Sequence, residues 1–96
     1  MAEYRLSEKA SYDIDDIADY TFETFGERQA DKYGSELLNI FVALAARPFM
    51  GRPANELAPE LRSYPFQAHV IYYAVETNGV LIVRILHRSR DAKRHL

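Results

Sequence analysis

Two apolar segments that flank an Asn-Gly dipeptide constrain the fold of this chain more than any other feature. Residues 69–76 read HVIYYAVE and residues 80–88 read VLIVRILHR, so both are rich in β-branched and aromatic side chains. Asn78-Gly79 is the preferred two-residue turn of a β-hairpin, because both turn positions then have a positive φ. The sequence therefore predicts a long antiparallel hairpin with Asn78 and Gly79 at its tip.

Both faces of the predicted hairpin are mostly apolar. One face would carry Ile71, Tyr73, Val75, Val80, Ile82, Arg84 and Leu86, and the other Val70, Tyr72, Ala74, Leu81, Val83, Ile85 and His87. One layer of helices covers only one face of an antiparallel sheet, so the second apolar face needs a second cover. Loops and the C-terminal tail are one candidate cover, and a partner chain is the other.

Two amphipathic helices are predicted ahead of the hairpin. Ser7 is a suitable N-cap for a helix over residues 8–25, in which an apolar stripe recurs every three or four positions and ends at Phe25. Gly26 can end this helix with a positive φ. A second apolar stripe runs over residues 30–46, and Pro48 stops it. The two stripes predict an antiparallel helical hairpin with a short connection.

Shorter segments complete the predicted order of elements. Residues 3–6 form a candidate strand, and so do residues 61–64, which Pro65 places at a sheet edge or a bend. Residues 47–60 hold three of the four prolines and are predicted to be a connecting loop. The tail over residues 89–96 is polar and basic, which predicts a frayed end or a single helical turn.

These elements predict one α+β domain over residues 1–96, with an N-terminal strand, an α-helical hairpin packed on a small antiparallel β-sheet in the order β-α-α-β-β-β, and a short C-terminal helical or frayed tail. The chain has no cysteine, which excludes a disulfide framework and fits a reducing compartment. No apolar run is long enough to span a membrane, and the first residues lack the apolar core of a signal peptide. A cytoplasmic location is therefore expected.

Charge is polarised along the chain although the formal net charge is only −2. Residues 1–36 carry ten acidic and four basic side chains, whereas residues 61–96 carry six basic and two acidic ones. A basic C-terminal third favours association with an acidic partner.

The common patterns for cofactors are absent from the sequence. The four glycines lie too far apart for a phosphate-binding loop, and the three histidines lack the spacing of a helical metal site. The acidic run at residues 13–16 lacks the glycine and the terminal glutamate of a calcium loop. We therefore expect no cofactor and no metal.

Two histidines and several arginines form a candidate functional group. His69 and His87 are predicted to be adjacent near the open end of the hairpin, with Arg62, Arg88 and Arg90 nearby in sequence. Such a group could carry out acid–base chemistry on a phosphodiester. It could equally bind an acidic segment of a partner.

Arg84 is the one charged residue of an otherwise apolar predicted face. In the predicted register it lies directly opposite Tyr73, so its guanidinium could stack on the ring. The functional alternative is that Arg84 binds a carboxylate of a partner.

Seven motifs of the chain, taken in order, resemble the RelE/ParE superfamily of toxins from bacterial type II toxin–antitoxin pairs, and more closely its ParE branch. They are YRLS at 4–7, Asp13 with DDIADY at 15–20, FGERQADKY at 25–33, LAARPFMGRP at 44–53, LRSYP at 61–65, HVIYYAV at 69–75 and VRILHRSRD at 83–91. The resemblance covers almost the whole chain and implies the same order of strands and helices.

The resemblance also implies a function and a partner. ParE toxins of this kind are described as poisons of DNA gyrase, whereas RelE toxins cleave mRNA on the ribosome. The implied partner is a ParD-like antitoxin, which binds operator DNA through a ribbon-helix-helix segment and wraps the toxin with its C-terminal segment. The toxin would then contact operator DNA only through the antitoxin, and no membrane is implied.

One position separates the two branches. RelE nucleases carry an arginine in the strand before an apolar-apolar-Tyr sequence, where this chain has Val70. A valine side chain cannot stabilise a phosphate, so a gyrase-binding inhibitor without catalytic residues is the favoured interpretation. A ribosome-dependent endoribonuclease is the alternative, with His87, Arg88 and Arg62 as its candidate catalytic residues.

The resemblance and the hairpin together indicate two groups of binding residues. The expected antitoxin-binding residues are Tyr72, Tyr73, Arg84, Leu86, His87 and Arg62. The expected target-binding residues are Arg88, Arg90, Lys93 and Arg94.

Overall fold

The computed structural model describes residues 2–96 and contains five strands and three helices over that range. They are β1 (Glu3–Leu6), α1 (Glu8–Phe25), α2 (Glu27–Ala46), β2 (Arg52–Pro53), β3 (Leu61–Phe66), β4 (His69–Glu76), β5 (Gly79–His87) and α3 (Ala92–His95). The sheet has the order β1-β5-β4-β3-β2, in which β1 runs parallel to β5 and the other pairs are antiparallel. The predicted α+β fold is confirmed, with one addition, because the predicted loop over residues 47–60 contains the short strand β2.

Ser7 connects the first strand to the first helix. Its Oγ accepts a hydrogen bond from the amide of Ala10 at 3.0 Å and donates one to the carbonyl oxygen of Val83 at 2.7 Å. The predicted N-cap is therefore correct, and the same hydroxyl also fixes α1 against strand β5. Gly26, at a φ of 91°, is the single residue between α1 and α2.

The tip of the β4–β5 hairpin differs from the prediction. Glu76 pairs with Gly79, so Thr77 and Asn78 are the turn residues and Gly79 is the first residue of β5. Gly79 has a φ of 148°, and a Cβ at this position would overlap the backbone of Glu3 in the neighbouring strand β1. The glycine is thus required for close packing of β1 against β5, and not as the second position of the turn.

A β-bulge changes the register further along the hairpin. Tyr73 pairs with Ile82 whereas Tyr72 pairs with Arg84, so Val83 is an extra residue on β5. The predicted pairing of Arg84 with Tyr73 is therefore wrong. Beyond the bulge, every side chain of β5 lies on the opposite face from the one predicted, because the side-chain period of a strand is two. Ile85 consequently joins the buried face.

The core lies between the helical hairpin and one face of the sheet. Its fully buried large residues are Phe41 and Leu44 from α2 and Ile71, Tyr73, Val80 and Ile82 from the sheet. Most residues of the second face, including Tyr72, are half-buried, whereas Leu86 is buried. Part of their cover comes from the chain itself, because the Arg84 guanidinium donates to the backbone oxygen of His95 in the tail. Within residues 2–96, no helix is long and apolar enough to cross a bilayer.

Candidate functional site

A cavity of about 770 Å³ opens between the helical hairpin and the open end of the β4–β5 hairpin. Its lining includes Tyr20, Phe25, Tyr33, His69, His87 and Arg90. The volume falls within the range of about 300–1,000 Å³ that is typical of ligand sites. We call this space the histidine cavity.

The two histidines of the cavity are direct neighbours, as the sequence predicts. His69 pairs with His87 across the β4–β5 ladder, and their ring centroids lie 5.5 Å apart in an edge-to-face arrangement. The hydroxyl of Tyr33 lies 2.5 Å from Nδ1 of His69. Nδ1 of His87 accepts from the amide of Ser89 at 3.1 Å, so a neutral His87 carries its proton on Nε2.

Tyr33 and His69 form the inner wall of the cavity, and this wall is polar and uncharged at neutral pH. Burial lowers the pKa of His69, and the nearby His87 lowers it further, whereas Asp13 opposes both effects. Burial raises the pKa of the Tyr33 phenol. Both groups are therefore neutral near pH 7, since an ordinary histidine titrates near about 6.5 and an ordinary tyrosine near about 10.

Folding stability is expected to fall as the pH drops below about 6.5, the ordinary pKa of histidine. His69 has a lowered pKa in the folded state, so the unfolded chain binds a proton at this residue before the folded chain does. Urea unfolding of the wild type and of His69→Gln at pH 7.5 and 5.5 measures this effect, and the variant should lose less stability between the two pH values. His95→Gln is the control and should behave as the wild type. An equal loss in all three proteins would contradict this role of His69.

Arg84 is held by an acidic residue of the same chain. Its Nε and Nη2 atoms donate to the two carboxylate oxygens of Asp13 in α1 at 2.8 and 2.9 Å. Asp13 also accepts from the amide of Ile85 at 2.9 Å, and the hydrogen bond from Arg84 to Asp13 is the main cause that raises the pKa of Arg84. The two side chains are only 14% and 12% exposed. The position that a partner carboxylate was expected to occupy is therefore filled by Asp13.

Tyr73 and Arg62 hold the loop over residues 47–51. The Tyr73 hydroxyl donates to the carbonyl oxygen of Pro48 at 2.8 Å and accepts from the amide of Gly51 at 2.9 Å. Arg62 donates to the carbonyl oxygen of Gly51 through Nε at 3.1 Å, and its guanidinium lies 5.2 Å from the centroid of the Phe49 ring. Tyr73 is 0% exposed, so the prediction that it contacts an antitoxin is not compatible with this conformation.

The three candidate residues of the ribonuclease alternative do not come together. Arg62 pairs with Tyr73 on β4, whereas His87 pairs with His69, four residues further along the same strand. Four residues of strand span about 13 Å, and the Arg62 guanidinium is bound to the loop. His87 and Arg88 are consecutive residues of the chain, whereas Arg62 lies apart from both of them.

Comparison with known proteins agrees with the motifs and the fold. The family model described as the ParE toxin of type II toxin-antitoxin system, parDE, matches residues 4–92. The chain belongs to the ParE toxin family. A protein named Toxin ParE1 from Caulobacter vibrioides is 38% identical over 96 residues, which cover 100% of this chain and 99% of that protein. A protein of the same name from Mycobacterium tuberculosis is 34% identical over 94 residues, which cover 97% of this chain and 96% of that protein.

A solved structure supports the fold of this ParE-family chain. A chain of the solved structure described as "Chromosomal ParDE TA system from P. aeruginosa" superimposes with a TM-score of 0.77 and covers 91% of this chain and 96% of its own length. Its sequence identity is 23%, so this comparison supports the fold alone. The resemblance inferred from the seven motifs is confirmed.

The remaining predicted binding residues of this ParE-family chain differ in exposure. The four expected target-binding residues, Arg88, Arg90, Lys93 and Arg94, are all exposed. Within residues 2–96 no carboxylate forms a salt bridge with any of them. Among the expected antitoxin-binding residues, His87 is exposed and Tyr72 is half-buried, whereas Leu86 is buried.

The sequence patterns missed the exposed aromatic side chains at the cavity. Phe25 was expected to lie on the buried stripe of the first helix, but it is 65% exposed, and Tyr20 is 64% exposed. Phe25 is the last residue of α1, and Thr21, one turn earlier, is the last buried residue of that helix. The position of Phe25 next to Gly26 was the available signal of its exposure, because the last residue of a helix often lies outside the packed interface.

Proposed function

We propose that this ParE-family chain acts by binding DNA gyrase and that a ParD-like antitoxin neutralises it. The observation that carries the proposal is the similarity over the full chain to two proteins named Toxin ParE1. ParE toxins with these motifs are described as gyrase poisons. The matching family model describes the toxin of a parDE system, which supports a ParD-like protein as the partner.

The half-buried face of the sheet and the exposed His87 are the proposed contact surface for the antitoxin. Tyr72 lies on this face, and the basic side chains of residues 88–94 follow it directly. An acidic amphipathic segment would complement both features, because it offers apolar side chains to the sheet and carboxylates to the tail. Arg84 and Tyr73 contribute to this surface indirectly, since each is occupied within the chain.

The exposed basic segment formed by Arg88, Arg90, Lys93 and Arg94 is the proposed contact surface for gyrase. Four cations within seven residues, without a salt bridge in residues 2–96, are available to an acidic surface. Charge of one sign in one segment mainly increases the rate of association and the specificity of the contact. A binding inhibitor needs no catalytic group, so this proposal does not depend on the histidines.

Purified protein is expected to inhibit DNA supercoiling by gyrase, and the double variant Arg88→Glu/Arg90→Glu should need at least about tenfold more protein for the same effect. The reversal replaces two attractive charges with two repulsive ones at the proposed contact. Arg28→Glu/Lys32→Glu is the matched control, because it reverses two charges on an exposed stretch of α2. A supercoiling assay with and without a co-expressed ParD-like partner measures both inhibition and its relief.

Two results would overturn the gyrase proposal. One is the absence of any inhibition by the wild type at a large molar excess over gyrase. The other is an equal loss of inhibition in the α2 control, which would place the contact on the helical hairpin or make the effect a general response to charge. Circular dichroism of both variants establishes that they are folded.

A further inference from the structure

The histidine cavity contains side chains that belong to neither the proposed gyrase contact nor the proposed antitoxin contact. Two exposed aromatic rings, Tyr20 and Phe25, line the side formed by α1. The inner wall is formed by Tyr33 and His69, which are neutral near pH 7. Arg90 lines the cavity as well and is exposed. The cavity thus combines aromatic surfaces, a neutral polar wall and a cation.

The charges around the cavity leave Arg90 as an available cation. Arg84 also lines the space, but the carboxylate of Asp13 neutralises it. Besides Asp13, the wall formed by α1 contributes the acidic group of Asp16, so the cavity itself is close to neutral. Net positive charge is found on either side of Arg90 in the chain, at Arg88 before it and at Lys93 and Arg94 after it.

The hydrogen-bonding groups of the cavity have defined roles. The Ser89 amide occupies Nδ1 of His87, so its Nε2–H is available as a donor. The Tyr33 hydroxyl occupies Nδ1 of His69, which leaves Nε2 of that ring as its remaining polar atom. Neither Nε2 forms a hydrogen bond within residues 2–96. His87 is an exposed residue, and Nε2 of the half-buried His69 is not among the buried side-chain atoms, all of which have a partner. Both Nε2 atoms are therefore accessible to a ligand.

We propose that the histidine cavity binds single-stranded nucleic acid, with a base against Tyr20 and Phe25 and the phosphates at Arg90 and the basic segment. Aromatic platforms beside a positively charged path are the two elements by which proteins hold unpaired strands, since every base has a face that stacks. The neutral wall of Tyr33 and His69 accepts an uncharged base, and His87 donates from Nε2 to a base oxygen or a phosphate oxygen. Ribose and deoxyribose strands share this chemistry.

Fluorescence anisotropy with a labelled strand of about 12 nucleotides tests the proposal, and oligo-dT and oligo-U distinguish DNA from RNA as the preferred ligand. We expect binding in the micromolar range or somewhat weaker, and weaker binding to the corresponding duplex. Phe25→Ala and Tyr20→Ala should each weaken binding by about fivefold or more, because each removes a stacking surface. Phe25→Leu retains an apolar side chain but has no aromatic face for a base to stack on, so it should weaken binding by a similar factor.

Two matched controls separate the cavity from the general surface. Tyr12→Ala removes another aromatic side chain of α1 that is 61% exposed and does not line the cavity, so it should leave the affinity unchanged. Arg90→Ala should weaken binding and reduce the slope of log affinity against log salt concentration by about 0.7, whereas Arg28→Ala should change neither.

Several outcomes would overturn the proposal. They are no binding of either strand at about 100 µM protein, binding that does not depend on salt, and an equal effect of Tyr12→Ala and Phe25→Ala. Preference for the duplex over the single strand would also exclude the base-stacking arrangement. Because this assay contains no gyrase and no antitoxin, its failure leaves the gyrase proposal to be decided by the supercoiling assay.

Discussion

Asp13→Ala is expected to lower the free energy of unfolding by about 3 kcal/mol, the low end of the range for breaking a buried ion pair. The substitution leaves the Arg84 guanidinium without its carboxylate in a site that is only 14% exposed, and it also removes the acceptor for the amide of Ile85. The low end is appropriate because both side chains retain some contact with water. Urea denaturation monitored by circular dichroism measures the change.

The other long-range ion pair within residues 2–96 provides the control. Arg5 and Glu76 form a salt bridge at 2.6 Å, but their side chains are 66% and 33% exposed. Glu76→Ala should therefore have little effect on stability, since water screens an exposed pair. The double variant Asp13→Ala/Arg84→Met should recover part of the loss, because no unpaired charge remains. Equal stability of Asp13→Ala and Glu76→Ala would show that the buried pair does not hold α1 to the sheet.

The role of Arg84 shows why sequence periodicity predicted the elements but not all of their contacts. The alternation of apolar residues in β4 and β5 was sufficient to predict the hairpin, and it placed both histidines near the open end. Their direct pairing depends on the observed register, which includes the bulge. The predicted register also placed Arg84 opposite Tyr73, because it took Asn78-Gly79 as the turn. It placed Arg84 on the face of Tyr73 because a strict period of two has no place for the extra residue Val83. A bulge depends on tertiary contacts. Here they are the hydrogen bond that Ser7 donates to the Val83 carbonyl oxygen and the hydrogen bonds that Arg84 and Ile85 of β5 donate to Asp13.

The candidate site was predictable to a similar degree. The sequence placed the two histidines and the arginines at one end of the hairpin, because strand pairing follows from the pattern. The remaining wall of the histidine cavity comes from Tyr20, Phe25 and Tyr33 of the helices. Their positions relative to β4 depend on how the helical hairpin packs on the sheet, which a helical period does not specify. For the same reason Phe25 was assigned to the buried stripe.

Gly79→Ala is expected to be among the most destabilising substitutions in the chain, with a loss of about 3 kcal/mol or more. The residue has a φ of 148°, which a side chain makes unfavourable, and the added Cβ would overlap backbone atoms of Glu3. Relief of the overlap requires β1 to move away from β5, and this movement strains the hydrogen bond from the Glu3 amide to the Asn78 carbonyl oxygen. Thermal and urea denaturation measure the loss.

Gly34→Ala is the matched control, and it should raise the free energy of unfolding, whereas Gly79→Ala should lower it. Gly34 lies within α2, and a Cβ there would meet nothing within 4 Å, so alanine adds helix propensity without a clash. We expect a gain of about 0.5–1 kcal/mol. If the two variants changed stability in the same direction, close contact between β1 and β5 would not be the reason for glycine at position 79. A loss confined to Gly79→Ala would instead establish that the glycine of the Asn-Gly dipeptide serves the junction between the N-terminal strand and the hairpin.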